Sequence, residues 1–364
     1  MNDVPATLLE RTRAAIVPPD ESVAAVTQHV LDFKTKPRGS LGRLEGLACR
    51  LAAMQGVAKP QLPTKAVVVM GADHGVAAEG VSAYPSEVTR QMLLNFAAGG
   101  AAINVLARQA GARLVVIDMG VLEPLPEACG VRAERVGAGT QSFVREPAMT
   151  EARALAALAV GIGVADELVD DGVGLIGLGE MGIGNTTSAT ALVAAFTGAA
   201  PDTITGRGTG IDDAGWLRKV DVVRRALALH GLALGAERSA PADPLRVLAC
   251  LGGYEIAGLA GVALGAAARR VPVLLDGFIS TAAGLVAARL APLAAGYFVA
   301  AHRSVEVGHR VALEALGLRP LLDLDMRLGE GTGAALAMGI VDAALAILHD
   351  MATFESAGVA DTGR

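Results

Sequence analysis

Five short apolar runs, each closing on glycine or a polar residue and each followed by a helix-like stretch, constrain this chain more than any other feature. They read KAVVVMGADHG from Lys65, RLVVIDMGV from Arg113, VGLIGLGEMG from Val173, VPVLLDGFIS from Val271 and GYFVAAHRS from Gly296. Runs of Val, Ile and Leu without polar alternation are what strands buried on both faces look like, and strands alternating with helical segments predict a parallel sheet covered by helices. The expected fold class is therefore α/β. Ligands of open parallel sheets bind beyond the carboxyl ends of the strands, so the glycines and acids that close these runs mark where a site is expected.

The first 60 or so residues and the last 34 carry no such runs and read as helices. Residues 1–64 and 335–364 are expected to form a small helical domain built from both ends, with residues 65–334 as the α/β domain. The final stretch, FESAGVADTGR, is polar and expected to fray. At 364 residues, 52% hydrophobic and 19% charged, the chain can fill a sizeable core. The net charge of −6 comes without a basic stripe or interleaved aromatics, which argues against a nucleic-acid partner and for a small molecule. Cys49, Cys129 and Cys250 are odd in number and lack metal-ligand spacing.

The opening MNDVPATLLERTRAAI carries acids and no long apolar core, so neither a signal peptide nor an anchor is read there, and a cytoplasmic location is expected. Two apolar stretches, LGGYEIAGLAGVALGAAA and GFISTAAGLVAARLAPLAAGYFVAA, are interrupted by Glu255 and by Arg289 and Pro292. They are expected to be buried helices and strands rather than membrane spans. The small residues of GLAGVALG let a helix approach a neighbour closely, and a dimer contact is one use for them.

GLGEMG, Gly177–Gly182, formally satisfies the dinucleotide fingerprint, and Asp202 lies about twenty residues on. That aspartate sits in APDTITG, away from any second strand, and Glu180 inside the turn would repel a pyrophosphate, so no nicotinamide cofactor is expected. The loop continues as MGIGNTTSA, where N–H groups of Gly182 and Gly184 and hydroxyls of Thr186 and Thr187 suit a phosphate monoester. A plain glycine turn capped by Asn185 or Thr186 fits the same letters. TGRGTGIDDAGWLRK adds Gly208, Thr209 and Lys219, a point-charge phosphate ligand. Neither loop is a lysine-terminated P-loop.

GADHGVAAEGVSAYPSEVTRQM places Asp73 and His74 after the first strong run, with Ser82, Tyr84 and Gln91 close behind. HRSVEVGHR lacks the HExxH order, so no catalytic metal is expected, and no GxSxG elbow or Cys–His pair announces a covalent nucleophile. What remains is three glycine-bordered acids, Glu180, Asp276 and Glu330. For any one of them helix capping is the plain alternative. Glu330, in RLGEGTGAALAM, is expected to meet N–H groups of the following helix start that keep it ionised.

Together these segments resemble the nicotinate-nucleotide dimethylbenzimidazole phosphoribosyltransferases of cobalamin nucleotide-loop assembly. The resemblance rests on nine motifs in register between residues 36 and 338: KPRGSLGRLE, GADHGV, YPSEVTRQM, GLGEMGIGNTT, GTGIDD, LGGYEIAG, LLDGFIS, HRSVEVGH and RLGEGTGAALAM. It implies a Rossmann-like parallel sheet flanked by helices, a small helical domain from both termini, and a homodimer. It implies transfer of phosphoribose from nicotinate mononucleotide to 5,6-dimethylbenzimidazole by an inverting single displacement that needs no cofactor.

Carried over residue by residue, the resemblance implies that Glu330 is the general base and Glu180 a second active-site glutamate. The base pocket would draw on Ser82, Tyr84, Gln91, Met92 and Leu328. The nucleotide phosphate would fall to Gly182, Gly208, Lys219 and Ser304, beside Asn185 and Thr186 of the same loop. A nucleotide-binding regulatory protein of the same fold, without turnover, is the alternative, and the choice among benzimidazoles, purines and phenols stays open.

Overall fold

The computed structural model describes residues 3–61, 63–232 and 242–360. All five apolar runs are strands. In chain order these are β1 (Thr64–Ala72), β2 (Ala112–Gly120), a two-residue β3 (Arg132–Ala133), β4 (Val173–Met181), β5 (Val273–Leu275) and β6 (Phe298–Ala300). They form one sheet in the order β3-β2-β1-β4-β5-β6, every pair parallel. A separate parallel pair, β7 (His302–Arg303) and β8 (Leu322–Asp323), lies beyond β6.

β1 is flanked on both sides, with Val68 opposite Val115 of β2 and Leu178 of β4, and its residues from Ala66 to Ala72 are buried. That double burial is why its sequence shows no polar alternation. The chain runs outward from β1 to β3 and then returns to the other side of β1 as β4. Such a reversal opens a crevice at the carboxyl ends of the two central strands. Residues 177–181 of GLGEMG are part of β4 itself rather than a turn after it, and the next strand, β5, begins only at Val273, so the segment is not the compact strand–turn–helix–strand unit that a dinucleotide fingerprint requires.

The GLAGVALG stripe finds its partner inside the chain. It belongs to the helix Tyr254–Ala268, which packs on Glu151–Asp170. A Cβ on Gly161 would fall 1.9 Å from the Gly258 carbonyl oxygen, and one on Gly261 would fall 2.1 Å from that of Leu158. Backbone meets backbone there, which only glycine allows. The stripe is therefore used up on an internal seam, a correction to its reading as a dimer contact.

The two apolar stretches form the buried helices Tyr254–Ala268 and Phe278–Leu290, of 15 and 13 residues, short of the ~20 that a span needs. Thr332–Asp350 is long and apolar enough to cross a membrane, with 56% of its most apolar window buried within the fold.

The two chain ends meet. Lys34 pairs with Thr353 in an antiparallel bridge, the Phe354 N–H donates to the Phe33 carbonyl at 3.0 Å, and Thr332–Asp350 packs on Arg43–Gln55. The first helix, Asp3–Ala15, packs instead on the helices 151–170 and 254–268. The KPRGSLGRLE segment is a loop closed by a buried ion pair, Lys36 Nζ to Glu45 Oε1 at 2.8 Å. Of the polar tail, residues 354–357 form a short helix capped by Thr353, and the last four residues lie outside the described ones.

Candidate active site

A cavity of about 560 Å³ opens at the carboxyl end of the sheet. Its wall takes Glu180 from the end of β4, the 182–186 loop, Gly208 and Thr209, the segment after β5, residues 302–306, and the turn 327–330. Ten of the thirteen residues assigned to the site through the family resemblance are in this wall: Glu180, Glu330, Tyr84, Met92, Leu328, Gly182, Asn185, Thr186, Gly208 and Ser304. The other three stand back from it. Ser82 holds Thr209 by a hydroxyl–hydroxyl bond of 3.2 Å and accepts from the Tyr84 N–H, Gln91 is exposed on its helix, and Lys219 lies one side chain deeper.

The two glutamates enter from opposite constructions. Glu180 ends a central strand, is buried, and accepts a hydrogen bond from the Asn185 side-chain amide. Burial pushes its carboxyl up to about 8, with Asp276, Glu255 and Glu330 adding to the rise and Asn185 opposing it. Glu330 is carried by a three-residue left-handed turn, φ 84° at Gly329, 61° at Glu330 and 88° at Gly331. A non-glycine residue in that region costs on the order of 1 kcal/mol or more and persists only where its surroundings hold it.

Burial also raises the Glu330 carboxyl, and Asp276 adds to this. The opposing N–H is that of Ile103, at the start of the helix Ala102–Gln109, and Oε2 is buried with no partner. This reverses the expectation from sequence, in which N–H groups of the following helix keep the residue ionised. Those N–H groups are taken by Asp276 instead.

The loop after β4 resolves the capping question. The helix Asn185–Thr197 starts at Gly184 with no side-chain cap. The Asn185 amide goes to Glu180, and the Thr186 hydroxyl accepts from Lys219 Nζ at 2.7 Å. Lys219 is fully buried, which lowers its ammonium to about 8, while Glu306 pulls the other way. Thr187 is buried outside the cavity wall. This corner therefore joins a buried cation, a hydroxyl and glycine backbone, the chemistry that suits a phosphate monoester.

Ser304 is placed by a histidine. His309 Nδ1 accepts from the Ser304 N–H at 3.0 Å, and its Nε2 meets the Thr281 hydroxyl at 3.0 Å. Burial, with His302 adding, drives His309 down to about 3, so the ring is a neutral strut. At the mouth, Tyr84 and Leu328 are more than half exposed and, with Met92, offer apolar faces to a flat ring.

Sequence reading missed Phe278, His302, Glu306 and Arg327 in the wall. HRSVEVGH and LLDGFIS held the signal for the first three, since both follow a strand end. Asp73 and His74 lie beneath the floor: His74 Nε2 meets Glu255 Oε1 at 2.6 Å with neither side chain exposed, and Asp73 accepts from the Leu122 N–H. Among the described residues no group of three or more His, Cys, Asp or Glu is arranged to hold a metal ion.

The geometry gives one crevice with two carboxyl groups of raised proton affinity, an anion corner and an apolar mouth. A phosphoribosyltransferase family model matches residues 16–359. The nicotinate-nucleotide–dimethylbenzimidazole phosphoribosyltransferase of Chloroflexus aggregans is 55% identical over 354 residues, 97% of this chain and 98% of that protein. Its namesake from Geobacter sulfurreducens is 52% identical over 98% of this chain and 99% of its own length. The crystal structure of CobT from Thermus thermophilus superposes with a TM-score of 0.88 at 49% identity, covering 93% of this chain and 99% of that one. Fold, family model and near full-length identity agree, and the chain belongs to the nicotinate-nucleotide–dimethylbenzimidazole phosphoribosyltransferase family of enzymes.

Proposed function

We propose that this enzyme transfers the 5-phosphoribosyl group of nicotinate mononucleotide to a ring nitrogen of 5,6-dimethylbenzimidazole, releasing nicotinate and forming α-ribazole 5'-phosphate. The observation that carries the reading is the convergence of Glu180 and Glu330 on one cavity whose wall also takes Thr186 and Gly208, with the Lys219 ammonium directly behind them on the Thr186 hydroxyl.

The chemistry is a single displacement. The azole nitrogen supplies the electron pair for the new bond to the anomeric carbon, and the pair of the old carbon–nitrogen bond leaves on the pyridine nitrogen of nicotinate. Attack from the opposite face inverts the carbon, so no covalent enzyme intermediate is needed. The azole becomes cationic as it bonds, its remaining N–H grows acidic, and Glu330 takes that proton. A base whose proton affinity is raised toward neutrality is better matched to this than an ordinary glutamate.

Glu180, its proton affinity raised by burial, releases its proton to solvent when the pyridinium ring of the nucleotide arrives, because a nearby cation favours the carboxylate. The resulting anion stabilises the positive charge that spreads onto the ribose in the transition state. The phosphate is held at the Lys219–Thr186 corner beside Ser304 and Gly182, and the azole ring lies against Tyr84, Met92 and Leu328. Ser82 shapes this mouth through Thr209, and Gln91 reaches it only by moving from its exposed position. The protein works as a homodimer, its two chain ends forming a small helical domain against the 65–334 body.

The test is direct. The protein, given nicotinate mononucleotide and a panel of benzimidazoles, purines and phenols, is expected to release nicotinate with 5,6-dimethylbenzimidazole. Binding of the nucleotide without nicotinate release from any base would instead make it a nucleotide-binding regulatory protein.

A further inference from the structure

Asp276 follows β5 directly and is 1% exposed. Its Oδ2 accepts from the Gly331 N–H at 3.2 Å and its Oδ1 from the Ala334 N–H at 3.0 Å, with the Gly333 N–H directed at the same carboxyl. The helix Thr332–Asp350 has no side-chain cap of its own, because its N-cap position is Gly331. A buried carboxyl from another strand supplies the acceptors instead.

A Ser or Asp at the N-cap position itself would cap the helix more simply. What the remote carboxyl adds is control of one peptide group. The N–H it binds at Gly331 belongs to the amide that joins Glu330 to Gly331. The carbonyl of that same amide presses on β4, where a Cβ on Gly179 would fall 2.4 Å from the Glu330 oxygen. The His302 ring covers the third side. A Cβ on Gly333 would fall 2.0 Å from its Cδ2, and its Nε2 stands 3.7 Å from Asp276 Oδ1. The plane of this amide, and with it the direction in which the Glu330 side chain leaves the backbone, is thus gripped from two strands. A left-handed glutamate needs such over-determination to persist.

We propose that Asp276 is a positioning residue for the transfer reaction, clamping the Glu330–Gly331 amide so that the Glu330 carboxyl meets the attacking base at a fixed angle. This rests on the transferase reading of the cavity. A carboxyl restricted to one approach gains rate through orientation, which a rotating one forfeits.

The experiment places Asp276→Asn in the wild-type and in the Glu330→Gln background. Asparagine keeps the shape and one acceptor, so the fold is retained while one of the two grips is lost. Nicotinate release is expected to show kcat down by at least about tenfold, with KM for nicotinate mononucleotide within about twofold. In the Glu330→Gln background the further loss is expected to shrink below about threefold, because the residue being aimed is gone. Hydrogen exchange over residues 327–338 is expected to speed up in Asp276→Asn, a readout independent of turnover.

Normal kcat in a folded Asp276→Asn protein, an equal loss in both backgrounds, or unchanged exchange would each overturn the proposal. A wild-type protein that releases no nicotinate would sink the transferase reading instead, and exchange would then decide whether the clamp exists.

Discussion

Replacing Glu330 by glutamine separates chemistry from capping because the two readings move stability and turnover in different directions. Glutamine keeps the shape, can still accept from the Ile103 N–H, and carries the same left-handed backbone cost as glutamate. What it loses is the ability to take a proton, so turnover should fall roughly 10²–10⁴-fold with KM for the nucleotide nearly unchanged. Stability should move the other way. A carboxyl whose folded pKa lies above its ordinary 4.5 contributes stability in full only below that value, and the contribution is lost as pH rises through the folded pKa. Glutamine has nothing to ionise, so Glu330→Gln should match the wild type near pH 4 and melt higher than it at pH 8. Were Glu330 a simple dipole partner of its helix, the variant would lose up to about 1 kcal/mol at pH 8, roughly 1–2 °C for a chain this long, and keep its turnover. Nicotinate release and thermal midpoint, measured on one preparation at pH 5 and pH 8, decide the matter. A folded variant with turnover within a few-fold of wild type, or one less stable at pH 8, would refute the reasoning.

Lys219→Met keeps the buried volume and removes the charge, so KM for the nucleotide should rise about tenfold or more for a lost contact of roughly 1.5–3 kcal/mol, and steady-state kinetics showing an unchanged KM would take Lys219 out of the phosphate corner. Glu180→Gln should flatten the fall in stability between pH 4.5 and about 8, the window in which burial makes ionisation of Glu180 cost the fold. Urea unfolding at pH 4, 7 and 9 checks this, with the variant equal to wild type at pH 4 and more stable at pH 9. Gly161→Ala drives a methyl group into the Gly258 carbonyl, so it should cost about 3 kcal/mol or more by urea unfolding, and a neutral result would mean that the seam can open at no cost.

The five apolar runs were legible because burial on both faces writes itself as an unbroken Val, Ile and Leu signature. β3, β7 and β8 are two residues each and leave no period to read. The cavity was legible where its residues sit in glycine-rich loops at strand ends, as Glu180, Gly208 and Glu330 do. Depth was not: Lys219 and Gln91 are both polar residues on helices, yet one is buried beneath the wall and the other faces solvent. The sequence cannot choose between those fates, since helical position relative to a distant loop is set by tertiary packing. The GLAGVALG stripe makes the same point, for small residues declare a close approach without naming the partner.

The joining of the two chain ends has a consequence for how competence is acquired. The ammonium of Lys34 donates to the Met351 carbonyl, a contact spanning 317 positions, and Glu330 leads into the helix that packs on residues 43–55. During synthesis every strand of the six-stranded sheet emerges before this helix does, so the amino-terminal helices wait for their partner with an apolar face uncovered. Pairings this distant in sequence form slowly and late. The turn 327–330, which supplies the proposed base, is part of the cavity wall and leads directly into that helix, so the wall is incomplete until this stretch of chain is in place. Closing the cavity wall and joining the two ends are therefore one event, carried out by the same stretch of chain.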